Sequence, residues 1–372
     1  MSEFEARAAK FKNAIQLPRF ETSTNEIQAS LQQTIASGNS ALDSLAATDL
    51  HKVTFQNTAG ALDEIAYRIG LTANRFSVIK ETSQDAAMRD AATEAVKQLE
   101  EWVVGLDYRE DVYKVLKAYA DRQPKLKAED EKLLFETMRD YRRAGLELPK
   151  VQRDEIERMR KELSSLTIDF ESNVTKAEKS VKFTKAELEG VSDSLLEQMK
   201  TGENEYAVMA NITVQYVNVM ENAKQEQTRK RLLIEHDNLA RKENIPLLEK
   251  ILPLRDDIAK KLGYKTWADY QTEVKMVKNA TTAIDFLQRL KTGLQPKFDA
   301  ELAAYRQIKA RETGDSNTQI YIWDWRYFSN QLKKEKYTVD AEQLRVYFPY
   351  QRVLEGMFNI YQTIFGLKFQ RV

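Results

Sequence analysis

The chain has 372 residues, enough for two or three domain-sized units, and its 57 basic residues balance 57 acidic ones. A neutral chain has no overall field to hold a polyanion, which argues against nucleic acid as a partner, and the absence of cysteine excludes disulfides, thiol catalysis and thiolate metal sites. Glycine and proline are scarce (12 and 7) and the 31% of charged residues are interspersed with apolar ones, a pattern that favours long amphipathic helices over a strand-rich fold.

The first twenty residues, with Glu3, Glu5, Arg7, Lys10 and Lys12, lack the apolar core of an export signal. No apolar run approaches the ~20 residues that cross a bilayer, so a cytoplasmic protein with no membrane partner is expected. Successive helices are predicted from Ile27 to about Ala120. Ser83 is placed as the N-cap of one that carries Ala87, Ala91, Ala95 and Leu99 and stops near Gly105. Leu133, Leu134, Met138 and Tyr141 mark a further helix. Gly145 closes it and Pro149 follows, because glycine accepts a left-handed turn and proline cannot continue a helix.

The clearest periodicity comes next. Ile156, Met159, Leu163, Leu166, Phe170, Val174 and Ala177 form one stripe, predicting a helix from about Gln152 to Glu178, roughly 40 Å long. Val181-Lys182-Phe183 reads as a short extended piece, Thr184 with Glu187 as a capping box, and Tyr206 to Val219 as a stretch that accommodates a second extended piece. Helices resume from Gln225 to Leu262, with breaks placed at Pro246 and Pro253 and an end at Gly263. Arg229-Lys230-Arg231, flanked by Glu226 and Glu235, is read as a solvated face. Thr266 with Asp269 starts another helix. Ile284, Leu287, Leu290 and Leu294 give a stripe that is predicted to break at Pro296 and restart at Phe298. Joints are placed at Gly145–Pro149 and Gly314–Asn317.

The search for chemistry is mostly negative. A helical zinc peptidase needs two histidines at i and i+4 with a glutamate beside the first. Here the two histidines, His51 and His236, stand far apart and neither has another at ligand spacing. His236, between Glu235 and Asp237, reads as part of a solvated helix face. No GxSxG elbow and no glycine-rich phosphate loop is present. One segment has unusual composition: Tyr321-Ile322-Trp323-Asp324-Trp325-Arg326-Tyr327-Phe328-Ser329-Asn330-Gln331 interleaves aromatic rings with Asp, Arg, Asn and Gln. If helical, it places Trp323, Tyr327 and Gln331 on one face. That face suits either a wall that holds an extended peptide or a helix anchored in the core by its tryptophans.

Several stretches resemble the thimet oligopeptidase and neurolysin family of zinc metallopeptidases, in order and spacing. They are Met138-Arg139-Asp140-Tyr141 through Leu148-Pro149; Glu162-Leu163 through Asn173; Phe183-Thr184-Lys185-Ala186-Glu187-Leu188; Leu254-Arg255 with Ala259 through Tyr270; and Trp323-Asp324 with Tyr327, Asn330 and Gln331, followed by Tyr347-Phe348-Pro349. The resemblance implies a mainly α, multi-helical, two-lobed peptidase architecture, with 1–148 beginning the first lobe, 149–315 forming the second, and 316–372 returning to the first and ending at the start of a strand near Leu367 and Phe369. It implies hydrolysis of short peptides in a narrow channel, with zinc held by an HExxH helix and a further glutamate that lie beyond Val372 in the family. On that basis the chain is expected to be truncated before the zinc-binding helix, to have the missing C-terminal catalytic portion as a partner, and to be inactive alone. Asp324, Tyr327, Asn330 and Gln331 are its candidate substrate-binding residues. The alternative is a non-catalytic helical peptide-binding protein of the same architecture.

Overall fold

The structure, a computed structural model, describes residues 18–337 and 344–369. The described residues are mainly α-helical. In chain order they form α1 (Thr24–Ala46), α2 (Ala59–Thr82), α3 (Ala86–Leu106), α4 (Glu110–Ala120), α5 (Ala128–Ala144), α6 (Lys150–Lys176), β1 (Ser180–Phe183), α7 (Asp193–Met199), β2 (Tyr206–Met209), α8 (Thr213–Asn222) and α9 (Glu226–Asp237). There follow α10 (Arg241–Lys261), α11 (Trp267–Thr272), α12 (Ala280–Thr313), α13 (Trp325–Tyr337) and α14 (Tyr350–Phe365). None of these helices is long and apolar enough to cross a membrane.

The chain divides into two compact units. One comprises Pro18–Ala177 with Ala240–Arg289; the other comprises Glu178–Leu239 with the described residues from Leu290 onward. The divisions thus fall at 177, 239 and 289, whereas the joints read from the sequence lie at Gly145 and Gly314. Both glycines end helices with positive φ, +96° and +71°.

In the first unit α1 to α4 surround a core of Leu31, Phe76, Ala92, Leu99 and Leu116. The stripe on α6 buries Ile156, Met159 and Leu163 with Ile251 and Ile258 of α10, and Trp267 packs against the same cluster. The capping of α3 differs from the expectation. Ser83 ends α2, and Asp85 is the N-cap, accepting the Ala87 N–H at 2.8 Å while the Ser83 hydroxyl receives the Asp85 N–H. Asp85 sits one residue before the helix, where its carboxylate reaches an orphan donor that Ser83 is too far back to meet.

The proline breaks are also corrected. The chain turns before Arg241, where Ala240 adopts a left-handed φ of +52°, and both Pro246 and Pro253 lie inside α10. Each removes one backbone bond, but the buried contacts of Ile251 and Ile258 with α6 keep the helix whole. Pro296 likewise lies inside α12, which runs unbroken for 34 residues. The first half of α12 is exposed, including Ile284, Leu287, Leu290 and Leu294.

In the second unit β1 and β2 pair antiparallel, with Val181 opposite Val208 and Phe183 opposite Tyr206. They share a core with Leu188, Leu196, Val219, Met220 and Leu232. Thr184 and Glu187 make the reciprocal capping contacts, Thr184 N–H to Glu187 Oε2 at 2.7 Å and Glu187 N–H to Thr184 Oγ1 at 3.3 Å, over a run of turns instead of a helix. At the C-terminal end Gly366 closes α14 and 367–369 are coil; the rest of the strand expected there lies outside the described residues.

Candidate functional site

The aromatic segment begins in a turn, and α13 starts only at Trp325. Trp323 and Asp324 therefore precede the helix, and the face drawn through Trp323, Tyr327 and Gln331 reduces to Tyr327 and Gln331. Asp324 is fully enclosed, at 0% exposure. A bare carboxylate in that position is costly, so it is surrounded by donors. Its Oδ1 accepts from the Arg229 guanidinium at 2.6 Å, and its Oδ2 accepts from Lys309 Nζ at 2.7 Å and the Tyr321 N–H at 3.1 Å. Its own carbonyl receives the Phe328 N–H, fixing the first turn of α13, and its charge favours that helix N-terminus.

The two cations are as deeply placed, with side-chain exposures of 1% for Arg229 and 4% for Lys309. Arg229 also donates from Nε to the Trp323 carbonyl and from NH1 to the carbonyls of Ala223 and Lys224, at the end of α8. Lys309 uses its remaining protons on the Gln319 carbonyl and on Glu226. Glu226 in turn accepts from the Trp323 indole at 2.9 Å. Two cations and two anions thus form a neutral, saturated cluster that ties α9, α12 and the start of α13 together. Burial pulls the Lys309 ammonium down, but hydrogen bonds to Asp324 and Glu226 outweigh it and leave its pKa raised. Burial pushes Glu226 up, and its contacts with Lys309 and Trp323 win in the other direction, leaving it lowered.

The solvated reading of Arg229-Lys230-Arg231 is overturned for its first member. Arg229 lies three residues before buried Leu232 on α9, on the inner face, with its guanidinium 4.4 Å from the Tyr327 ring centroid. Lys230 covers Trp323 and Arg231 pairs with Glu187. Nothing in the local sequence marks Arg229 as the inward member of that triplet, since its acidic partner lies 95 positions away. His236 is also not on a solvated face. Its ring stacks on Tyr216 at 3.8 Å, and its Nδ1 lies 2.8 Å from the Ala210 carbonyl.

The four residues singled out in the sequence stand in one neighbourhood with different surroundings. Tyr327 is buried, its hydroxyl donating to Glu312; burial first and the Glu312 carboxylate second push that phenol up to about 12. Asn330 is half-buried and donates to the Glu221 carbonyl and to Asn222 Oδ1, both at 3.1 Å, so it fastens α13 to the end of α8. Gln331 is half-buried. Asp324 and Tyr327 hold the helix; Asn330 and Gln331 are the two that retain contact with solvent.

A second polar centre belongs to the other unit and unites two of the stretches quoted above. Arg142 and Arg143, at the end of α5, both donate to Glu273, and so does the Tyr264 hydroxyl at 2.6 Å. Arg143 lies over the Tyr270 ring, 4.2 Å from its centroid. Burial pushes the Glu273 carboxyl up, but these three donors outweigh it and hold its pKa down at about 2.

Among the described residues no group of three His, Asp or Glu side chains stands close enough to hold a metal ion. His51 is exposed on a turn and His236 is committed to its stack and carbonyl, so the residues present do not form a ligand set for the zinc that the resemblance implies.

Comparison with known proteins follows the same residues. Residues 219–372, which hold the buried cluster and α13, match peptidase family M3. The chain is 31% identical over 366 residues to saccharolysin of Saccharomyces cerevisiae, covering 95% of this chain and 51% of that protein. It is 26% identical over 373 residues to the thimet-like oligopeptidase of Dictyostelium discoideum (95% and 54%), and 26% identical over 333 residues to oligopeptidase A of Escherichia coli (84% and 48%). The chain therefore spans about half the length of these relatives. Residues 219–372 thus match peptidase family M3, and the chain is similar along nearly its whole length to proteins that include a thimet-like oligopeptidase and oligopeptidase A.

Proposed function

We propose that the chain is the N-terminal portion of a zinc-dependent oligopeptidase that hydrolyses short peptides within a narrow channel, to which this portion contributes wall and not catalytic metal. The observation that carries the reading is one of coverage: saccharolysin, a thimet-like oligopeptidase and oligopeptidase A align with 84–95% of this chain but with only about half of their own length. In this reading α13 is a wall helix. Asn330 and Gln331 meet the peptide, through amides that pair with its backbone, while Asp324 and Tyr327 fix the helix that presents them.

The test is a quenched fluorogenic peptide of about ten residues. Residues 1–372 alone are expected to give no zinc-dependent turnover. The same protein mixed with the separately produced C-terminal portion and zinc is expected to cleave the peptide and to spare a folded protein substrate. Zinc-dependent cleavage by 1–372 alone would refute the proposal.

A further inference from the structure

The helix α14 is amphipathic and bare. Val353, Met357, Ile360 and Ile364 follow one another at helical spacing, with Tyr361 beside them, and all are exposed, by 42–69%. None of its sixteen residues is buried. A helix of this length is marginal in water on its own and gains its stability in proteins by covering its apolar face. An uninterrupted apolar face of this width marks an interaction surface.

The helix's composition narrows the occupant. Its opposite face carries Gln351, Asn359, Gln362 and Thr363, with only Arg352 and Glu355 charged. Helices that lie on membranes present a lysine- and arginine-rich polar face, which this one lacks. The helix also falls inside the segment matched by peptidase family M3, and relatives that align with 95% of this chain are about twice as long as it is. We propose that the apolar face of α14 is the seat on which the other half of an M3-type chain packs, its partner being an apolar segment of the polypeptide that follows residue 372 in the longer protein. The proposal rests on the oligopeptidase reading above for the identity of that half.

The experiment uses residues 1–372 and, as probe, the separately produced polypeptide encoded after Val372 in the same reading frame. Binding is measured by titration calorimetry and by co-elution. The wild-type chain is expected to bind it. Val353→Asp with Ile360→Asp is expected to weaken binding at least 100-fold, while Gln351→Asp with Asn359→Asp on the polar face changes it less than threefold. Both variants alone should keep the thermal midpoint of 1–372, because the altered side chains are already exposed, which separates a lost surface from a lost fold. Unaltered binding by the apolar-face variant overturns the proposal, as does a reading frame that closes at Val372. So does a dimer of 1–372 that the same substitutions dissolve, which would make a second copy the occupant, or binding to phosphatidylserine vesicles that they abolish. Assembly through α14 without zinc-dependent cleavage would leave the surface standing and remove the oligopeptidase reading. Cleavage by an assembled pair that tolerates the apolar-face variant would do the reverse.

Discussion

Asp324 sits at 0% exposure between an arginine and a lysine that are almost as deeply placed, so removing its charge strands two buried cations. Asp324→Ala is expected to destabilise the unit by about 3–5 kcal/mol, read from the urea midpoint. A double-mutant cycle with Arg229→Met should recover part of that loss, because it removes the cation left unpaired. Glu273 works differently, since it faces solvent in part and its donors come from two separated stretches. Its carboxyl titrates at about 2 against 4.5 for an unperturbed glutamate, so the stability it contributes is complete above about pH 4.5 and is lost as pH falls through 2. Glu273→Gln should therefore be less stable than the parent at pH 7 by on the order of 2 kcal/mol, after allowance for screening, and the two should converge near pH 2. Urea midpoints at pH 7, 4, 3 and 2.5 check the sign. A gap that widened on acidification would contradict it. Neither centre was legible as a centre in the sequence. Asp324 was named, but its partners are 95 and 15 positions away, and an arginine on a charged helix carries no mark of which face it occupies.

Helices were the most readable level. The stripe of α6 and the glycine that ends α5 follow from spacing and from the one residue type that accepts the required turn, and both stand in the structure as expected. What the local pattern misjudged was proline. Pro246, Pro253 and Pro296 read as breaks because each removes a donor, yet α10 and α12 continue through them, since the loss is one bond where packing or helix continuity supplies many. Two glycines test the turns themselves. Gly145→Ala places a side chain at φ +96° with Leu262 and Leu148 within 3.3 Å, and should cost about 1–2 kcal/mol. Gly190→Ala should cost more. Lys224 N–H bonds the Glu189 carbonyl, which brings the neighbouring chain so near that a Cβ would stand 2.2 Å from the Asn222 carbonyl oxygen. Moving Asn222 disturbs the hold on Asn330, so this variant should also show faster amide exchange in α13.

At the scale of the whole molecule, the resemblance was readable because five stretches recur in order. The sequence also gave no warning that so much apolar surface on α12 and α14 stands uncovered, because a stripe says that a face wants a neighbour and not whether one is present. One result of the unbroken α12 concerns proteolysis. Enzymes that cut chains usually enter at loops. In the first half of α12, however, Arg289, Lys291 and Lys297 are exposed on a rod braced by its backbone bonds and by contacts within the helix such as that of Lys297 with Glu301, whereas Lys309 further along is locked inside. Brief digestion of the 372-residue protein with trypsin should accordingly nick this rod early, at a place that secondary structure would mark as safe, and mass spectrometry of the fragments should find Lys309 and Arg229 still intact when those three bonds are gone.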